Sequence, residues 1–284
     1  MSAAGLIGVF DSGVGGLSVW REIVRLMPGE DTIYLADQAH VPYGTQSLGT
    51  VRYLSEGIAR FLIDRGARVI VIACNTASAA ALWHLRRTFP NVPFVGMEPA
   101  IKPAVEHTRT GIVGVIATPA TFQGDLFASL LERYAGDVRV LTQVCPGLVE
   151  AIEAGALDTP ATDCLLRDCL SPLVEQGIDQ LVLGCTHYPF VRPAIERIVG
   201  HGVAIVDPAA AVARQVARVL GESRKDRSGQ HTFYTSGNAP SLSKALGYLI
   251  SEVLDGSVGD CVAAVGWTAG HLSASTHLTR ISVL

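Results

Sequence analysis

Val69-Ile70-Val71-Ile72-Ala73-Cys74-Asn75-Thr76-Ala77-Ser78 decides the fold. Five consecutive apolar residues without polar alternation read as a strand buried on both faces, as in a parallel sheet covered by helices. A cysteine follows at once, then amide and hydroxyl residues, then a helical pattern. The same grammar returns at Gln180-Leu181-Val182-Leu183-Gly184-Cys185-Thr186-His187-Tyr188-Pro189. Outward from these two segments, strands are predicted at Leu6–Phe10, Thr32–Ala36, Val69–Ala73, Pro93–Gly96, Gly111–Ala117, Val138–Val144, Gln180–Gly184, Val203–Val206 and Thr232–Thr235. Helical patterns fill the gaps at Leu17–Leu26, Ser47–Arg65, Ala77–Phe89, Thr121–Tyr134, Ala161–Gln176, Phe190–Val199, Ala209–Leu220 and Ser241–Leu254. This β-then-α rhythm predicts an α/β protein. So many strands point to two sheets. Glu98–Pro103, with two prolines, reads as the crossing between them, and Asp207-Pro208 as the return. The division predicted is residues 1–98 with 207–255 in one α/β domain and 99–206 in the other. The tail, 256–284, has no clear period and receives no assignment.

Bulk properties narrow the function. The 284 residues are 49% hydrophobic and 17% charged, enough apolar material for a large core. The net charge of −4 and the lack of a basic block argue against nucleic acid as a partner. No apolar run approaches the roughly 20 residues of a membrane helix. Residues 1–10 lack the charged and long apolar regions of a secretory signal, so a cytoplasmic protein is expected. The six cysteines include no CxxC pair, and free thiols are expected in a reducing compartment.

Ligands of open α/β sheets bind beyond the carboxyl ends of strands, where Cys74 and Cys185 both fall. A helix N-terminus after each would lower the thiol from about 8.5 toward neutrality. A single such cysteine reads equally well as a small buried hydrophobe; two matched corners point to function. Cys145, Cys164, Cys169 and Cys261 lack this context. Other thiol chemistries fit less well. A phosphatase loop needs Arg six residues after the cysteine, where this chain has Ala80 and Val191. A structural zinc site needs four closely spaced ligands. A hydrolase would use Cys185 with His187 and leave Cys74 idle.

Phe10-Asp11-Ser12-Gly13-Val14-Gly15-Gly16-Leu17-Ser18 turns from the first strand into a helix. It reads either as a tight connection or as an anion cradle. Ser18 stands where a dinucleotide fingerprint needs glycine. Asp11 reads as a helix cap or as an acid facing a ligand. Asp37-Gln38-Ala39-His40-Val41-Pro42-Tyr43-Gly44 is a polar loop after the second strand, which by itself reads as a surface connection.

Together these stretches resemble the glutamate racemases of bacterial cell-wall synthesis. The resemblance rests on Phe10–Leu17, Val41–Gly44, Ala73–Ser78, Cys145-Pro146 leading to Glu153 and Gly155, and Leu183–Pro189, in that order. It implies two similar, doubly wound, mostly parallel-sheet α/β domains facing each other across a cleft. It also implies a homodimer that racemises glutamate without pyridoxal phosphate or any other cofactor or metal, supplying D-glutamate for peptidoglycan. By matching motif, Cys74 and Cys185 would be the catalytic thiols, with Asp11, Glu153 and His187 tuning them. Asp11, Ser12, Pro42, Tyr43, Gly44, Asn75, Thr76, Thr186 and His187 would bind substrate, as would Thr121 from the Thr118-Pro119-Ala120-Thr121 loop. The chain departs from the family at Gln38 and His40, at Ala100 after Glu98-Pro99, and throughout the tail.

Inverting a stereocentre needs a base on one face and an acid on the other, so two thiols suffice, with coupled titrations. An α-proton is a very weak acid; even about 10 turnovers per second implies a barrier near 16 kcal/mol. Donors to the substrate carboxylate must therefore stabilise the carbanion, with Asn75, Thr76 and Thr186 as candidates. A pyridoxal electron sink would need a Schiff-base lysine. The three lysines, Lys102, Lys225 and Lys244, all lie away from the polar strand corners, which favours a cofactor-free reaction. An aspartate or broader amino-acid racemase, a binding module for acidic amino acids and a nucleotide-binding protein are the competing readings.

Overall fold

The computed structural model describes residues 6–221, 227–255, 261–274 and 280–283. Its first stretch runs β1 (Leu6–Asp11), α1 (Leu17–Leu26), β2 (Asp31–Ala36), α2 (Leu48–Asp64), β3 (Ala67–Ile72), α3 (Asn75–Thr88) and β4 (Phe94–Gly96). The middle runs α4 (Ile101–His107), β5 (Ile112–Ala117), α5 (Pro119–Gln123), α6 (Asp125–Tyr134), β6 (Arg139–Val144), α7 (Leu148–Glu153), α8 (Pro160–Glu175), β7 (Gln180–Gly184), α9 (Arg192–Val199) and β8 (Ala204–Val206). The chain ends with α10 (Ala209–Leu220), β9 (His231–Thr235), α11 (Ala239–Leu249), β10 (Leu254–Asp255), β11 (Val262–Thr268), β12 (His271–Ala274) and β13 (Ser282–Val283).

The larger sheet has the order β12-β11-β9-β2-β1-β3-β4, and the smaller β6-β5-β7-β8. Every pairing is parallel except the β11–β12 hairpin. Beside them, β10 and β13 form a short antiparallel pair. Within each sheet the first four strands in chain order lie 2-1-3-4. Such an order places a crevice between first and third strands, where the connections leave for opposite faces. Cys74 follows the third strand of one sheet and Cys185 the third strand of the other.

The continuous apolar runs are explained by cover on both faces. Val69 and Val71 point into one core with Trp20, Ile23 and Val216, whereas Ile70 and Ile72 point into another with Ile58, Leu62 and Leu85. The smaller sheet divides likewise, Leu181 and Leu183 to one side and Val182 to the other. Burying one such side chain stabilises by about 1.5–3 kcal/mol. The one buried indole N–H in this core, that of Trp20, donates to Thr32 Oγ1 at 2.7 Å.

Several expectations are revised. The helix expected over Thr121–Tyr134 is two, because Gly124 is extended at φ −76°, ψ 141°. A Cβ there would collide with Ala79. The helix after Cys74 starts two residues earlier than predicted, at Asn75, with Cys74 as its cap. The last long helix ends at Leu249, and the proline-rich crossing contains α4. The tail contributes β11 and β12 to the larger sheet, although 256–260, 275–279 and 284 lie outside the described residues. Cys145 and Cys169 are joined as a disulfide, not free, because the end of β6 meets α8 with the two Cα atoms 5.4 Å apart. Among the described residues, no helix is long and apolar enough to cross a membrane.

Candidate active site

The carboxyl ends of the two sheets meet. The Ser18 hydroxyl on α1 donates to the Thr186 carbonyl at 2.9 Å, and Thr76 Oγ1 lies 2.8 Å from Thr118 Oγ1 across the same seam. Between them lies a narrow cavity with only about 10 Å3 of free volume, well below the usual range for organic ligands. Its wall comprises Ser12, Pro42, Tyr43, Gly44, Cys74, Asn75 and Thr76 from the larger sheet's loops, and Thr118, Val149, Gly184, Cys185, Thr186 and His187 from the smaller's. Both thiols are buried, at 5% and 7% exposure, and both face this one space.

Each corner is built by its local sequence. Cys74 has extended backbone, and its Sγ receives the Ala77 N–H at 3.4 Å. Ser12 Oγ lies 4.0 Å from Sγ. Beneath it, Asp11 is wholly buried at the end of β1, taking the Gly16 N–H at 2.8 Å and the Gly13 N–H at 3.3 Å on Oδ2, with Oδ1 unpartnered. On the other side, His187 Nδ1 lies 3.8 Å from Cys185 Sγ, and His187 Nε2 lies 2.6 Å from Glu153 Oε1. That carboxylate also accepts from the Val14 N–H at 2.7 Å and from Gln38 Nε2 at 3.1 Å.

The glycine turn thus receives an anion, but an internal one. Side chains at Gly13 and Gly15 would run into Glu153 and His187 of the facing lobe. The glycines are there for this close approach.

A family model described as Asp/Glu/Hydantoin racemase matches residues 7–216. The chain belongs to this racemase family. A glutamate racemase from Ectopseudomonas mendocina is 50% identical over 249 residues, 87% of this chain and 95% of that protein. A glutamate racemase isoform from Bacillus anthracis superposes with a TM-score of 0.81 at 30% identity, covering 94% of this chain and 98% of that one. The Francisella tularensis glutamate racemase in complex with D-glutamate gives 0.76 at 30% identity, covering 87% and 94%.

In this racemase the two corners are electrostatically unlike. Burial pushes the Cys74 thiol well above its usual value; the Asp11 charge adds to this, and the Ala77 N–H offsets only part. The lowering expected from the helix N-terminus is therefore overridden. A charge on Cys185 also raises Cys74, so the two sulfurs sense each other. Burial likewise raises Asp11, against the opposing pull of His187. Burial disfavours a charged His187, but hydrogen bonding to Cys185 and Glu153 prevails and holds it well above the ordinary imidazole range. Burial would raise Glu153, yet His187 and the Val14 N–H bring it below its ordinary value.

Of the residues named from sequence, Asp11, Glu153 and Thr121 stand behind the cavity wall. Thr121 Oγ1 touches Thr118 and Thr76, at 2.9 and 3.3 Å, and Thr118 is the hydroxyl that reaches the cavity. The Tyr43 hydroxyl points away, donating to Asp37 Oδ2 at 2.6 Å. The wall residues Val149 and Gly184 escaped sequence reading because apolar and small side chains carry no chemical signature. The side-chain amide of Asn75 is buried with neither its oxygen nor its nitrogen partnered.

Proposed function

We propose that this enzyme interconverts L- and D-glutamate by proton transfer between Cys74 and Cys185, without a cofactor. The observation that carries the reading is the enclosure of two thiols, from equivalent strand ends of two sheets, in one small cavity. One sulfur, as thiolate, takes the α-proton; the C–H bond breaks and its electron pair spreads into the α-carboxylate. The other sulfur's S–H bond breaks on the opposite face, delivering its proton to the α-carbon. The product has inverted configuration, and thiol and thiolate have exchanged places, so no proton is gained or lost.

The carbanion needs donors already in place. Asn75, with its unpartnered amide, and the hydroxyls of Ser12, Thr76, Thr118 and Thr186 line the cavity for this task. An unpaired buried amide costs about 1–3 kcal/mol, which a carboxylate ligand would recover. Asp11 and the Glu153–His187 pair act through the thiols. Glutamate is the substrate on the strength of relatives about half identical over most of the chain. By the same resemblance we place the enzyme in the cytoplasm, as a homodimer supplying D-glutamate for peptidoglycan.

The test is a chiral assay of purified protein with L-glutamate, and in parallel L-aspartate, with no added cofactor. D-glutamate formation with α-deuterium incorporation in D2O is the expected result. Absence of both would overturn the reading, and faster D-aspartate formation would reassign the substrate.

A further inference from the structure

Asp37 is wholly buried, with four donors converging on it from three parts of the chain. The Tyr43 hydroxyl donates to Oδ2 at 2.6 Å and the Ser236 hydroxyl to Oδ1 at 2.5 Å. His40 Nδ1 lies 3.0 Å from Oδ2. The fourth donor is the Trp267 indole N–H on β11, 2.8 Å from Oδ1. The Trp267 ring also meets His40 edge-on at 5.6 Å between centroids. Tyr43 and Gly44 form part of the cavity wall, so Asp37 ties that wall to the C-terminal hairpin.

The hairpin is firmly seated. A Cβ on Gly57 of α2 would collide with the Trp267 ring and the Gly270 carbonyl, and one on Gly270 with the Tyr53 hydroxyl. Residue 267 also lies beyond residue 216, where the family match ends. The tail therefore reaches from outside the shared racemase core to within two side chains of the cavity.

We propose that Trp267 is a positioning residue for substrate binding, acting through Asp37 to hold Tyr43 and Gly44 against the ligand. This rests on the glutamate racemase reading. A buried carboxylate with its donors in place fixes the Tyr43 ring, and the backbone at Pro42–Gly44 follows. Removing the indole N–H takes one donor from Asp37 Oδ1, leaving it the Ser236 hydroxyl. The carboxylate is then held less firmly, and Tyr43, which it anchors through Oδ2, loosens a wall that grips substrate throughout the reaction. Such a uniform loss raises KM and leaves kcat in place.

The experiment measures racemisation by Trp267→Phe, which keeps an aromatic ring and removes the donor. Glutamate KM should rise about three- to tenfold, with kcat within about twofold of the parent, the span of a weakened hydrogen bond. In a cycle with Tyr43→Phe, the double variant should be no worse than the poorer single variant. Unchanged KM, additive effects, or activity lost only in proportion to folded protein would each overturn the proposal. If the parent fails to racemise glutamate, the functional reading fails; if the parent is active and Trp267→Phe is indistinguishable from it, only this proposal does.

Discussion

The Cys74 and Cys185 corners occupy equivalent positions in two sheets of the same strand order, yet their surroundings are charged oppositely. Cys74 sits over a buried carboxyl, Asp11, with one backbone N–H in support. Cys185 sits beside an imidazole that Glu153 holds toward its cationic form. Topology repeats the position of a thiol; it does not repeat its electrostatics. Among the described residues no cation offsets the rise of the Cys74 thiol, and the ammonium group of a bound amino acid would supply one. The Cys185 side carries its own. Chemistry that looks symmetric in outline thus rests on unlike halves.

The largest expected effect comes from removing either sulfur. Cys74→Ser and Cys185→Ser should each lower racemisation about 10²–10⁴-fold, the usual range for a positioned acid or base, with the far-UV circular dichroism unchanged. Each variant keeps one thiol and should exchange the α-hydrogen of only one enantiomer with D2O, the two variants choosing opposite enantiomers. Near-parental racemisation by either would break the pairing of the corners.

A smaller and more discriminating loss is expected from His187→Gln. It should reduce turnover about 10–100-fold and do so unequally. L- and D-glutamate have the same free energy in water, so kcat/KM must remain equal in the two directions. The asymmetry must therefore appear in kcat and KM separately, with kcat falling more in the direction that needs a proton delivered from Cys185. Equal kcat losses would show that the imidazole serves both corners alike.

Much of this contrast is legible in the sequence. The runs at 69–73 and 180–184 fix parallel strands because their residues alternate between two covered faces. The motif after each strand brings Cys74, Asn75, Thr76, Cys185, Thr186 and His187 to one place. What stays hidden depends on partners distant in the chain. Asp11 reads as a cap, and it does take two N–H groups of its own turn, but the net rise in its pKa comes from burial that only the closed fold creates. The Cys145–Cys169 pair has no spacing signature. The tail escapes notice because β11 is a strand of mostly small residues whose decisive contact, Trp267 with Asp37, spans most of the chain.

The smallest effect is on stability, and it shows as a dependence on pH. His187 titrates higher in the folded chain than in the unfolded one, so its contribution is complete below about pH 6.5 and is lost as pH rises through the folded value. Glu153 titrates lower when folded, so its contribution is present above its ordinary value of 4.5 and is lost as pH falls through the folded value. The pair therefore clamps the two lobes best between about pH 4.5 and 6.5. Asp11 and Cys74 act in the same sense as His187: both titrate higher when folded, so stability declines as pH rises from each ordinary value through each folded value. Losing a charged hydrogen bond costs about 1.5–3 kcal/mol, and each kcal/mol is worth about 2–4 °C in a protein of this size. Differential scanning calorimetry from pH 4.5 to 9.5 should find the Tm gap between the parent and His187→Gln widest at the acid end and shrinking as His187 loses its proton. A gap that does not change with pH would mean that the imidazole holds the lobes together by packing alone, and the charge contrast between the corners would then lie elsewhere.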